Sequence, residues 1–192
     1  MQLNLEALGQ PISLKPFSYD WKATALYALG IGAGTDSLDY TWEGRSQFKV
    51  IPSFAVIPTQ PIIMKALARV NADFRRLVHG AQTITMHAPI PAEGVFHSVG
   101  QISEIQDKGK GAVVIIDTET KDDNGQLLFE TSWSIFCRGQ GDFDGNRGES
   151  LAIPEAEDVS PIFEKTYETV PSQALLYRLS GDLNPLHVDP EL

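Results

Sequence analysis

A chain of 192 residues, 42% of them apolar, is long enough to bury a real core, and its single cysteine, Cys137, excludes an internal disulfide and reads as core. A formal net charge of -10 argues against a nucleic-acid partner, because phosphate backbones are held by clustered cations. The N-terminus has no basic start followed by an apolar stretch, and no run of about eighteen apolar residues occurs, so the chain reads as soluble, unexported and without a membrane partner.

The first element is a helix in YDWKATALYALGIGAG, where Ala23, Leu26, Tyr27 and Leu29 fall near helical spacing. Asp20 is its N-cap, and Gly30, Gly32 and Gly34 stand where it ends. The G-x-G-x-G pattern closes a helix, whereas a dinucleotide loop follows a strand and opens one. Pro52 and Pro58 interrupt QFKVIPSFAVIPTQ, which suits an irregular lead-in to a second helix starting at Pro61 in PIIMKALARVNADF. Four segments rich in β-branched and aromatic residues follow: AQTITMHAPI, GVFHSVGQISEIQDKG, GAVVIIDTET and QLLFETSWSIFCRG. They indicate an antiparallel sheet. In DDNGQ, Asn124 and Gly125 suit the two positive φ angles of a tight two-residue hairpin turn. A helix followed by long antiparallel strands predicts an α+β domain in which the sheet wraps the helix, over residues 1–138.

Residues 139–159 are glycine-rich and acidic and read as a linker. Asp142, Asp144 and Asn146 begin like a calcium loop, but Arg147 stands where that loop turns on glycine and Ile153 where it needs a glutamate. Residues 160–192 open a second unit, with Ser172 capping a short helix, QALLYRLS, that ends at Gly181.

Asp182, Asn184 and His187 then follow within six positions, with Pro185 restricting the backbone between them. A carboxylate beside an imidazole suits proton transfer near neutral pH, and the amide can fix a water or a polar substrate group. On spacing alone the arrangement is equally that of a hydrogen-bonded turn with a half-buried histidine. Two further readings use the same loop. One is a metal held by Asp182, His187 and Asp189; the other is a nucleophilic Ser180, which lacks the glycine-flanked strand-to-helix elbow.

The run YRLSGDLNPLHVDP, Tyr177 to Pro190, closely resembles the signature of the type-2, R-specific enoyl-CoA hydratases, the MaoC-like family. YALGIGAG, YTWEG, LVHGAQ, DKGKGAVVI and CRGQGDFDG are similar to successive landmarks of the same family, so the resemblance covers nearly the whole chain. It implies a double hot-dog, each unit a long helix wrapped by an antiparallel sheet. The first would accommodate a fatty acyl tail and the second would carry the catalytic loop, with the chain's end falling inside the second.

By that resemblance Asp182 and His187 catalyse hydration of a trans-2-enoyl-CoA to the (R)-3-hydroxyacyl-CoA and Asn184 positions the reacting groups. His79, Gly80 and Lys108 would contact the CoA thioester, together with Leu183, Pro185 and Leu186 of the loop. Lys110, Arg75 and Arg76 are further candidates for the CoA phosphates, against readings as solvated surface cations. No metal or separate cofactor is implied, since CoA belongs to the substrate. The implied partners are the acyl-CoA thioester and a second copy of the chain, and the implied setting is the cytoplasm, or the peroxisome in a eukaryote. The competing reading is a non-catalytic acyl-CoA-binding or dimerisation module, with thioester hydrolysis a third.

Overall fold

The computed structural model describes residues 2–149 and 160–191. In chain order it contains β1 (Ile12–Ser13), β2 (Phe17–Tyr19), α1 (Trp21–Gly30), α2 (Leu38–Thr41), α3 (Val56–Arg69), β3 (Leu77–Met86), β4 (Gly94–Asp107), β5 (Gly111–Lys121), β6 (Leu127–Arg138) and α4 (Gln173–Tyr177). The strands form an antiparallel sheet in the order β1-β4-β5-β6-β3, with β2 also paired to β4. Among the described residues no helix is long and apolar enough to cross a membrane.

The sheet curls around α3. That helix turns Ile62, Ile63, Ala66 and Leu67 inward, and these pack with Ile102, Val114, Ile116 and Ile135 of the central strands. Each of the isoleucine, leucine and valine side chains among them, fully buried, stabilises the fold by about 1.5–3 kcal/mol. Cys137 lies in this cluster, and burial pushes its thiol up to about 11, so it is an inert core residue. An aromatic cluster of Tyr19, Tyr27, Phe54, Phe96 and Phe129 joins α1 to the sheet. Hydroxyls that must be buried are paired across strands, Ser98 with Thr120 at 2.8 Å and Thr118 with Thr131 at 2.7 Å.

Asp20 caps α1 as the spacing predicts, its side chain accepting from the Ala23 N–H at 3.1 Å. The second helix differs from expectation. It begins at Val56, not Pro61, and continues directly from a 3-10 turn over Pro52–Ala55, so the supposed irregular lead-in is helical. Pro58 falls in the first turn, where an N–H has no acceptor within the helix, and Pro61 gives up one internal bond. Burial of Ile57, Pro58, Thr59 and Ile62 on one side outweighs that loss.

The hairpin between β5 and β6 also corrects the two-residue turn. Gly125 alone takes a positive φ, 79°, and Asn124 does not. The Gly125 N–H donates to the Asp122 carbonyl at 3.0 Å, and the Asp122 carboxylate accepts from the N–H groups of Asn124 and Gln126 at 2.9 and 2.8 Å. This is a three-residue loop closed by a glycine bulge, and the Asp122 side chain makes it the better solution.

Residues 139–149 fold back onto the β4–β5 turn, where the Asp107 carboxylate accepts from backbone N–H groups of Asp142 and Phe143 at 2.9 and 2.7 Å. Backbone donors therefore face the centre of this loop, the opposite polarity to a calcium site. Ile153 and the rest of 151–159 lie outside the described residues.

Candidate active site

After the loop, α4 docks on the C-terminal end of α1. The Gln173 side chain donates to the carbonyls of Leu29 and Gly30 at 3.3 and 2.5 Å, adding a side-chain donor to the C-terminal carbonyls of α1, where the Gly32 N–H already reaches Leu29. The Tyr177 ring lies 6.0 Å from that of Tyr27. Gly30 permits the approach, since a Cβ there would stand 3.0 Å from the Tyr177 Cα. Ser172 occupies the N-cap position of α4, and its backbone carbonyl, not its side chain, accepts from Leu176 at 2.9 Å.

A 3-10 turn over Arg178–Ser180 and Gly181, at φ 134°, reverse the chain into the motif. The Asp182 carboxylate accepts from the Asn184 N–H at 3.2 Å, and the Asn184 side-chain oxygen caps the 3-10 turn Pro185–His187 by accepting from Leu186 N–H at 3.0 Å. These two local bonds place His187 opposite Asp182, with Nε2 and Oδ2 3.9 Å apart. The Asp182 side chain is 24% exposed and that of His187 55% exposed. Together with Ala174 and Tyr177 they line a cleft of about 290 Å³.

Burial, reinforced by the charges of Tyr27 and Asp182, pushes the Tyr177 hydroxyl up to about 12. It therefore stays protonated and available as a donor at physiological pH. Tyr177 and Ala174 were not singled out as site residues from the sequence. Their signal is the helical spacing of three residues that puts both on the same face, in the turn of helix just before Gly181 reverses the chain.

The structure brings Asp182, Asn184 and His187 together in one turn and leaves Leu183, Pro185 and Leu186 on its exposed side, with Leu183 and Leu186 at 65% and 61%. His79 and Gly80 lie on β3 and Lys108 in the β4–β5 turn, and none of the three lines this cleft. His79 stacks on Trp133 with 5.0 Å between ring centres and uses Nε2 to donate to the Ala81 carbonyl at 3.1 Å. Gly80 sits at the β3 register shift between His79 and Ala81. Lys108 occupies the β4–β5 turn, its ammonium donating to the Arg147 carbonyl. Arg75 pairs with Asp73 at 3.4 Å, and Arg76 packs over Gly139.

Among the described residues no three His, Cys, Asp or Glu side chains gather as metal ligands, so Asp182, His187 and Asp189 do not form such a set. Ser180 has a buried hydroxyl with no hydrogen-bond partner among the described residues, and it is therefore not paired with His187 as a nucleophile requires.

Two protein families match successive parts of the chain. The MFE-2 hydratase 2 N-terminal domain family matches residues 17–139, and the MaoC like domain matches residues 153–192. The 3-hydroxyacyl-thioester dehydratase Y of Mycobacterium tuberculosis is 42% identical over 184 residues, covering 92% of this chain and 63% of that protein. The probable enoyl-CoA hydratase 2 of Dictyostelium discoideum is 38% identical over 190 residues, covering 93% of this chain and 64% of its own length. Among solved structures, a MaoC-like dehydratase from Phytophthora capsici superposes with a TM-score of 0.83 at 25% identity, over 98% of this chain and 68% of that one. Full-length peroxisomal multifunctional enzyme type 2 from Drosophila melanogaster gives 0.72 at 32% identity, over 94% and 32%. The chain thus spans a little under two thirds of the first two relatives. Its wrapped helix is the hot-dog fold of these dehydratase structures, and the chain belongs to the MFE-2 hydratase 2 family.

Proposed function

We propose that this chain carries the acyl-thioester-binding unit and the reacting loop of an R-specific enoyl-CoA hydratase, which adds water to a trans-2-enoyl-CoA and, in reverse, dehydrates the (R)-3-hydroxyacyl-CoA. The observation that carries the reading is the separation of His187 Nε2 and Asp182 Oδ2, 3.9 Å across the cleft. That gap is too wide for a direct hydrogen bond. An oxygen atom about 2.8 Å from each, subtending an angle of about 90°, fits between them.

A water so held has one proton directed at the carboxylate and its oxygen free to attack. In the conjugated thioester the carbonyl draws electrons from C3. Attack forms the O–C3 bond, the C2–C3 π pair moves toward the thioester oxygen, and Asp182 takes the proton the water loses; as the enolate returns to the thioester carbonyl, Asp182 delivers that proton to C2 and is restored as the carboxylate. The balance is H on C2 and OH on C3. Positioned proton transfer of this kind contributes about 10²–10⁴ in rate. His187 holds the second side of the water, and Asn184 acts by fixing the turn that separates the two groups. Leu183, Pro185 and Leu186 present apolar surface to the acyl chain, and His79, Gly80 and Lys108 serve the CoA portion.

A second reading, an acyl-CoA-binding or dimerisation module without turnover, draws on the exposure of Leu175, Leu179, Leu183 and Leu186 at 54%, 66%, 65% and 61%. The two are separated by incubating the chain with trans-2-decenoyl-CoA and following loss of the conjugated thioester absorbance, with thiol release monitored for hydrolysis. Absorbance loss without thiol release is the expected result. Binding with neither signal would support the module and remove the hydratase reading for this chain.

A further inference from the structure

Asp107, the last residue of β4, is 6% exposed, and its carboxylate sits in a ring of backbone donors. Oδ1 accepts from Gly109 and Asp142 at 2.8 and 2.9 Å, and Oδ2 from Phe143 and Gly145 at 2.7 and 3.5 Å. A carboxylate has about four acceptor positions. With them filled, Asp107 has no capacity left to act as a base or a ligand, and its effect falls on the segment it gathers.

That segment is clasped to the turn from both sides. The Asp107 N–H donates to the Asn146 carbonyl at 2.8 Å, the Gly139 N–H donates to the Lys110 carbonyl at 2.8 Å, and the next carbonyl, Arg147, accepts from the Lys108 ammonium. The fit is close: a Cβ on Gly141 would stand 2.3 Å from the carbonyl oxygens of both Gly109 and Gly111. Lys108 would otherwise be a long side chain free on an exposed turn, losing rotamer freedom whenever it engaged a ligand. Anchored to Arg147 by one of its three donors, it keeps two for a ligand and has already lost that freedom.

We propose that Asp107 is a positioning residue for acyl-CoA recognition: by gathering the 139–149 segment, it supplies the Arg147 carbonyl that aims the Lys108 ammonium. The proposal rests on the reading of Lys108 as a CoA contact given above.

The test is calorimetric titration of the chain with decanoyl-CoA, for Asp107→Asn, Lys108→Ala and the double variant, beside amide exchange. Asp107→Asn replaces an acceptor by an NH₂ that faces N–H groups, so faster exchange at Asp142, Phe143 and Gly145 is expected. Each single variant is expected to weaken decanoyl-CoA on the order of tenfold, and the double variant no more than either, because Asp107 acts through Lys108. A merely structural role would give additive losses. Gly141→Ala, which lifts the segment with Asp107 and Lys108 both intact, is expected to repeat the loss and to have no effect in the Lys108→Ala background; it serves if Asp107→Asn fails to fold. Normal affinity in Asp107→Asn or Gly141→Ala while Lys108→Ala is weakened, or losses that persist in the Lys108→Ala background, overturn the positioning role and leave the CoA contact standing. Normal affinity in Lys108→Ala overturns the contact itself, and the positioning role with it.

Discussion

Replacing Gly30 by alanine tests whether the reacting loop depends on its seat against α1. The added Cβ would stand 3.0 Å from the Tyr177 Cα, tighter than packed carbons ordinarily sit, and 3.4 Å from its ring, at the near edge of ordinary contact. Two opposing effects follow, and they fall on different parts of the molecule. Alanine at the end of α1 favours that helix by about 0.5–1 kcal/mol. Overpacking costs about 1–3 kcal/mol, and it acts on the contact with α4. If α4 yields, it gives up the Gln173 bonds to Leu29 and Gly30 and the Tyr27–Tyr177 ring contact. The main unfolding transition should therefore hold or rise slightly, while amide protection in α4, read at Leu176, falls about 10- to 100-fold, the equivalent of about 1.4–2.8 kcal/mol. Hydration should fall with it. Unchanged protection at Leu176 would refute the seat, and a lowered main transition with intact α4 would show that Gly30 serves α1 alone.

Asp182→Asn and His187→Ala should each remove measurable hydration of trans-2-decenoyl-CoA with the circular dichroism spectrum preserved, since both side chains are partly exposed and hold no core contact; near-normal turnover in both takes them out of the mechanism. Phe129→Ala, at a fully buried position whose ring meets Phe96 at 5.4 Å, should cost about 3–5 kcal/mol in urea unfolding, and a loss under 1 kcal/mol would mean the aromatic cluster is not a packed core. Backbone donation from Asp142 and Gly109, then Phe143 and Gly145, against the opposing effect of burial, holds the Asp107 carboxyl down to about 2. A carboxyl lowered in the folded state stabilises it above its unfolded value near pH 4, and that stabilisation disappears as pH falls toward about 2. The thermal midpoint of the wild-type chain should accordingly drop more steeply over that window than that of Asp107→Asn; parallel curves would contradict the assignment.

The parts of this molecule that could be read from the chain are those set by neighbours in sequence. Asp20 capping α1 and the β-branched runs of β4 to β6 depend on local propensity and alternation and appear where the residues place them, whereas the strand expected in residues 81–90 starts earlier, at Leu77, and ends at Met86. The Asp182–His187 pairing was legible as spacing because two short-range bonds, Asn184 to Asp182 and Leu186 to Asn184, fix the turn. Pro58 and Pro61 misled in the other direction, because the burial that keeps them helical is tertiary. The gathering of Asp142 to Gly145 by Asp107 links residues some 35 positions apart, and composition alone gave only an acidic, glycine-rich stretch. Tyr177 and Ala174 became site residues once α4 was seated on α1, a contact between segments more than 140 positions apart.

Water addition by the paired carboxylate and imidazole is tested most directly by a crystal structure of the chain soaked with (R)-3-hydroxydecanoyl-CoA. The account predicts the 3-hydroxyl oxygen about 3 Å from both Asp182 Oδ2 and His187 Nε2, at the place the attacking water would occupy. A ligand bound with that hydroxyl turned away from both side chains, or seated outside the cleft they line, would contradict it.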